Sequence, residues 1–422
     1  MLLRNCKIIS PKGLVSGDIL IENGRIKEIK KSLEKRGEEA LNAKGKPVIP
    51  GLIDAHTHMR DFKEKQKEDF TSGSKAALAG GITTILDMPN TDPPVTAVAI
   101  FKRRIDTANR SSLVDFGINF GISNNPEEIE KVSPASYKIY MDGTLGDVDE
   151  NMEKAFKKCR RVSVHAEDSK TIKRNTGYVR DRNDFLSHAE IREPKAEIDA
   201  VKRACELAEG YKKRTHICHI SSRKSLGHLN PYTTSEVTPH HLFLTEEYLR
   251  KFKGFAKTNP PLRTKMDLYG LWDALKNGKI DIVASDHAPH TLEEKEMDVL
   301  ECPPGIPNLD VMLKLMLRVV KRGTITLVDI TRLMSENPAR IFGIKNKGTI
   351  EVGKDADLVI LDLKKEGKVE PGEFYSKAKY SPFEDWKTVG DVDTVILRGK
   401  IAFKDNDFWV KKGYGEYLGS QV

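Results

Sequence analysis

Hydrophobic residues in this chain come in short runs punctuated by Gly, Pro and Asn, and the texture changes twice along its length. Up to about residue 50, β-like stretches at 6–9, 18–21 and 25–29 surround the turn Glu22-Asn23-Gly24. The same texture returns at 358–362 and 394–397. Residues 1–50 and 346–422 are therefore expected to combine into one small β-sandwich, with 51–345 forming a middle domain. In that middle, apolar runs alternate with segments of helical period. Strands are expected at 52–58, 82–87, 113–118, 137–140, 162–165, 215–219, 235–237 and 280–285, and helices at 72–79, 151–160, 193–209 and 266–276. Eight β-then-α units over about 300 residues is the pattern of a TIM barrel, (β/α)8. A doubly wound sheet is the alternative, but no Gly-rich phosphate loop follows the first strand.

Composition narrows the class. The chain is 38% hydrophobic and 31% charged, with no apolar run long enough for a membrane helix. Its net charge of +8 raises a nucleic-acid reading, yet lysines alternate with glutamates, as in Lys63-Glu64-Lys65-Gln66-Lys67-Glu68. Such runs are solvated faces, and no nucleic-acid module is visible. An anionic small molecule is the more economical partner. Cys6, Cys159, Cys205, Cys218 and Cys302 are odd in number and scattered, which argues against a disulfide framework. No signal-peptide pattern opens the chain, so a cytoplasmic protein is expected. A homodimer is the expected association by base rate.

The chemistry lies at the strand ends. In an extended strand His56 and His58 project to one face and make half of a divalent-metal site, with Arg60 two residues on. Asn90 follows the second strand, Lys138 lies in the fourth, His165 and His219 end the fifth and sixth, and Asp286 follows the eighth. The mouth of a TIM barrel gathers such positions. Four histidines and an aspartate exceed the needs of one tetrahedral zinc that keeps an open position, and they suit two metals sharing a bridging hydroxide. Lys138 must then point away, be neutral, or be carbamylated into an anionic bridging ligand. Arg60 and Asn90 suit a carboxylate on the substrate.

These motifs resemble the amidohydrolase superfamily and, within it, the dihydroorotases. The resemblance rests on Pro50-Gly51-Leu52-Ile53-Asp54-Ala55-His56-Thr57-His58-Met59-Arg60, Asp87-Met88-Pro89-Asn90, Tyr137-Lys138-Ile139-Tyr140-Met141, Val164-His165-Ala166-Glu167, Cys218-His219-Ile220-Ser221, Ala284-Ser285-Asp286-His287-Ala288-Pro289-His290 and Pro303-Pro304-Gly305. It implies one zinc on His56, His58 and Asp286, a second on His165 and His219, and carbamylated Lys138 with a hydroxide between them. It implies Asp286 as general acid/base in the reversible interconversion of N-carbamoyl-L-aspartate and L-dihydroorotate, a step of pyrimidine biosynthesis. It adds His290 and Asn259 as substrate contacts beside Arg60 and Asn90.

The pattern departs from the family after Arg60, where Asp61-Phe62-Lys63-Glu64 replaces the usual Pro-Gly, leaving the local backbone open. Where some relatives carry a mobile lid, this chain has the glycine-rich stretch 142–147, and Thr144 is expected to close over the ligand. His240 and His241 are expected to support the site or a further metal, with a structural role favoured for both. His188, His216 and His228 have no partner at ligand spacing, and His287 should face away from Asp286. Rival functions are a hydantoinase, dihydropyrimidinase or allantoinase, and a catalytically dead scaffold, for instance for an aspartate carbamoyltransferase partner. Arg60 argues against the first two, since an unpaired guanidinium disfavours an uncharged ring.

Overall fold

One strand near the C-terminus divides its side chains between two hydrophobic cores, and that division explains how the parts of the molecule join. In 358–361, Leu358 and Ile360 pack into a core with Leu3, Ile8, Ile19 and Val48. Val359 and Leu361 pack into the large core of the barrel. This is the period-two alternation of a strand covered on both faces.

The structure is a computed structural model describing all residues except 11–12, 35–38, 124–125, 147–148, 180–181, 183 and 420–422. Residue 147 of the expected lid thus lies outside the described residues. The chain opens with β1 (Leu2–Ser10), β2 (Gly13–Glu22), β3 (Arg25–Lys30), β4 (Ala40–Asn42) and β5 (Pro47–Pro50). The barrel follows as β6 (Leu52–Thr57), β7 (Ile82–Asp87), β8 (Asp115–Ile118), β9 (Phe120–Gly121), β10 (Tyr137–Tyr140), β11 (Val162–His165), β12 (Thr215–Ile217), β13 (Thr233–Val237) and β14 (Ile282–Val283). The chain then returns through β15 (Leu358–Lys368), β16 (Lys387–Leu397), β17 (Lys400–Lys404) and β18 (Asp407–Phe408). These four join the opening strands in one nine-stranded sheet, with β15 antiparallel to β5.

The barrel strands are parallel throughout. β8 and β9 are two halves of the third strand, interrupted at Asn119. Its side-chain amide donates to Asp87 O (3.0 Å) while its carbonyl accepts from Ser136 Oγ (2.7 Å), so Asn119 joins the strands on either side. The eighth strand returns to the first: Ser285 N donates to Asp54 Oδ1 (3.1 Å) and His58 N to His287 O (2.9 Å). A (β/α)8 barrel with an added β domain therefore carries the chain. Helices Phe70–Ala79, Asp149–Lys158, Pro194–Gly210 and Lys265–Lys276 cover its outside. Among the described residues no helix is long and apolar enough to cross a membrane.

The tail leaves the sheet after β18 and returns to the barrel. Phe116 N donates to Glu416 O and Leu418 N to Phe116 O, and Asp115 at the start of β8 pairs with Arg398 and Lys347.

Candidate active site

β6 is buried along its whole length, so the residues that follow it are delivered to the barrel mouth on a rigid support. The His56 and His58 rings lie side by side, with centroids 5.4 Å apart. His56 Nδ1 meets the Glu236 carboxylate, and His58 Nδ1 lies 2.8 Å from Asn90 Oδ1. Each ring thus has one nitrogen fixed by a side chain and the other turned inward, as metal-ligating histidines are oriented. The two inward Nε2 atoms lie 3.3 and 3.1 Å from Asp286 Oδ1. Their donor atoms all fall within 4.8 Å of one another, a fit for a divalent cation.

His165 and His219 sit beside this group. Their rings are 4.6 Å apart and edge to face, with His165 Nδ1 3.0 Å from His219 Nε2. The His219 ring is 5.2 Å from that of His56, so both pairs share one centre. His219 Nδ1 is buried without a hydrogen-bond partner. Lys138 is 0% exposed; its Nζ lies 2.9 Å from Cys218 Sγ and 5.1 Å from the centre of the Tyr140 ring. No carboxylate among the described residues comes within 4.0 Å of it, an unusual position for a buried ammonium.

Electrostatics fit metal-binding donors. Burial, with help from Arg60 and His56, lowers His58 to about 4. Burial with His165 and His56 holds His219 well below the ordinary imidazole value. Neutral rings are the ligating form. Burial would also lower His56, but Glu236 and Asp286 overrule it and raise the ring to about 10. Two carboxylates converging on one ring mark a place that favours positive charge. Asp286 is held far below the ordinary carboxylate range: burial opposes this, and His56 and His58 outweigh it. Asp286 (φ 43°), His219 (φ 34°) and Arg60 (φ 45°) all take left-handed backbone conformations, which non-glycine residues keep where surrounding structure enforces them.

A cleft of about 270 Å³ opens over this centre. His56, His58, His165, His219 and Asp286 line it together with Arg60, Asn90, Asn259 and His290, while Lys138 does not reach its surface. Arg60 Nε donates to Pro289 O (3.1 Å), and its Nη2 lies 2.9 Å from His290 Nε2. Burial and the neighbouring Arg60 keep His290 well below its ordinary value, and its Nε2 also lies 3.1 Å from Pro304 O. Asn259 Oδ1 is buried without a partner. Thr144 and Tyr140 also line the cleft, and Thr144 donates from N and Oγ1 to Asp142 Oδ1 at 3.1 and 2.8 Å.

Several working residues are given no role by the sequence alone. Glu236 holds His56 with one oxygen and His216 Nε2 (3.0 Å) with the other, so His216 is tied to the centre through it. Glu167 Oε2 lies 2.9 Å from His165 Nε2. Asp142, His165 and Glu167 bring donor atoms together, but Arg192 bridges both carboxylates, which makes this an ion-pair cluster. An acid two residues beyond His165, just past the end of β11, was the available signal for Glu167. His240 lies 3.0 Å from Asn308 Nδ2, and His241 Nε2 3.1 Å from Pro260 O, while His188 Nε2 donates to Thr258 O (2.9 Å). With His240 Nε2 also 3.4 Å from Thr258 Oγ1, these three brace the loop that carries Asn259. His287 turns away from the cleft toward Asn308 N and Glu68.

Fold and site together define a barrel enzyme with clustered imidazoles at the strand ends. The chain belongs to the amidohydrolase family, whose model matches residues 48–402. It is 39% identical to "Dihydroorotase" of Methanothermobacter thermautotrophicus, over 99% of this chain and 97% of that one. It is 42% identical to "Dihydroorotase" of Pyrococcus abyssi, over 96% and 95%. Among solved structures it is similar to L-hydantoinase (dihydropyrimidinase) from Arthrobacter aurescens, with a TM-score of 0.95, 29% identity and 99% of each chain covered.

Proposed function

We propose that this chain is a dihydroorotase, interconverting N-carbamoyl-L-aspartate and L-dihydroorotate with two zinc ions. His56, His58 and Asp286 would hold one ion and His165 and His219 the other, with Lys138, as its carbamate, between them. When bound, such ions polarise a carbonyl and lower the pKa of water, which supplies the nucleophile for ring opening. The buried Lys138 amine, without a carboxylate partner, supports the carbamate.

The chain's own residues do the rest. Arg60 and His290 receive the substrate carboxylate, Asn90 offers an amide donor beside them, and Asn259 Oδ1 offers an acceptor to a ring N–H. The Asp286 carboxylate, at the centre of the histidine group, accepts a proton from the attacking water and returns it to the ring nitrogen as the amide bond opens. In the reverse direction the same carboxylate takes that proton back as the ring closes.

One observation carries the substrate assignment. Arg60 is buried in the cleft, its donors meet only Pro289 O and His290 Nε2, and no carboxylate among the described residues lies within 4.0 Å. A buried guanidinium without a counter-ion is costly, and a carboxylate on the ligand provides one. The likeness to hydantoinases makes an uncharged cyclic amide the second reading. The test is turnover of L-dihydroorotate by metal-replete protein beside hydantoin, dihydrouracil and allantoin, with Arg60→Ala in parallel. Turnover of dihydroorotate alone, falling about 100-fold or more in kcat/KM in the variant, supports the reading. Turnover of an uncharged ring favours the second.

A further inference from the structure

The helix Val98–Ser111 reads as a surface helix, with Lys102, Arg103 and Arg104 in succession. Arg104 nevertheless has 0% exposure. Its Nε donates to Asp87 Oδ2 (2.8 Å) and its Nη1 to Arg60 O (2.7 Å). The guanidinium is sandwiched between Phe70 and Phe62, at 4.5 and 5.1 Å from the ring centres. The other oxygen of Asp87 accepts from Met59 N (2.9 Å). Asp87 and Arg104 therefore grip the backbone on both sides of the Arg60 α-carbon, by the Met59 N–H and the Arg60 carbonyl.

That backbone needs a grip. Arg60, Asp61 and Phe62 all have positive φ, at 45°, 59° and 48°. Three consecutive L residues at positive φ persist only where other contacts enforce the conformation. A fully buried ion pair is a poor stabilising device, because desolvation offsets most of its attraction. Here the pair spends its hydrogen bonds on the Met59 N–H, one residue ahead of Arg60, and on the Arg60 carbonyl, which adjoins the α-carbon that carries the side chain.

We propose that Arg104, acting with Asp87, is a positioning residue that holds Arg60 in its left-handed conformation and so aims its guanidinium at the substrate carboxylate. The inference rests on the reading of Arg60 as the carboxylate contact. Arg104 touches neither the cleft nor the metal-binding donors, and its effect passes through Arg60.

The experiment is steady-state kinetics of the metal-loaded full chain on L-dihydroorotate for Arg104→Lys, Arg60→Ala and the double variant, with metal content measured throughout. Lysine keeps the charge beside Asp87, but a single ammonium cannot reproduce the fork to Asp87 and Arg60 O. Arg104→Lys should raise KM about tenfold while kcat and metal content change less than about threefold, and should add less than about twofold to KM in Arg60→Ala. If Arg104→Lys folds poorly, Asp87→Leu with Arg104→Met removes the pair without stranding a charge and should give the same KM rise. An unchanged KM in Arg104→Lys beside a raised one in Arg60→Ala overturns the positioning role alone. Full multiplication of the two effects in the double variant also overturns it. An unchanged KM in Arg60→Ala overturns the carboxylate reading, and the positioning role with it.

Discussion

Asn90 turns its two ends to different tasks: Oδ1 lies 2.8 Å from His58 Nδ1, while the amide nitrogen makes no hydrogen bond among the described residues. The carbonyl end fixes the tautomer of His58 and frees Nε2 to face Asp286. The nitrogen end remains available at the cleft beside Arg60. Asn90→Asp should separate the tasks. It keeps an acceptor for His58 but sets a negative charge where the substrate anion arrives, so metal content should hold while KM rises. Asn90→Ala should also weaken metal binding, by about 10-fold or more. Metal analysis beside KM measures both.

Lys138→Met fills nearly the same space but can neither carry a carbamate nor ligate. Metal content after reconstitution should fall from about two ions per chain to one or fewer, with turnover lost. The intact mass of the native wild-type protein, taken with and without bicarbonate, should show the carbamate only in its presence.

Asn259 gives a prediction of opposite signs. Its Oδ1 is buried without a protein partner, so the acceptor adds nothing to the hydrogen bonding of the fold. Asn259→Ala should leave Tm unchanged or raise it slightly, while kcat/KM on dihydroorotate falls about 10-fold. A fall in both would assign Asn259 to the architecture of the loop.

Acid stability should register the link between Asp69 and Lys377. Burial would raise the Asp69 carboxyl, but Lys377 and the Ser72 amide outweigh it and hold the group below its ordinary 3.8. A carboxyl depressed in the folded state stabilises above its unfolded value and loses that contribution as pH falls below it. Asp69→Asn should therefore be less stable than wild type near neutrality, by under about 1 kcal/mol given partial exposure. The gap in Tm should close as pH drops below about 4. Thermal melts across pH 3 to 7 check the window.

The barrel was legible because strand and helix periods repeat with regular spacing, and the expected strands coincide with observed ones to within a few residues. Histidines at strand ends were legible for the same reason, since the barrel mouth gathers such positions. What escaped were residues whose roles depend on contacts between distant segments. Glu236 looks like a stray acid in a short strand until His56 and His216 are brought to it. Arg192 precedes a helix and shows no partner in sequence, yet it closes the Asp142–Glu167 pair. Arg104 sits in a run of cations that resembles a solvated face. The backbone at Arg60 and after it, left open by the missing Pro-Gly, is a run of three positive-φ residues that no local propensity would select.

The pairing of Val48 with Ile360 has a consequence for the order in which this chain can be built. β5 leads directly into the strand that carries His56, yet its partner is made about 310 residues later in the chain. Until then β5 has one edge without its neighbour, and the floor beneath the first histidines is unsealed. A contact so distant in sequence carries a heavy loop-closure penalty and slows folding. The centre is therefore expected to become competent only after β15 has been made, with the nascent β5 edge the place where a stalled chain would aggregate.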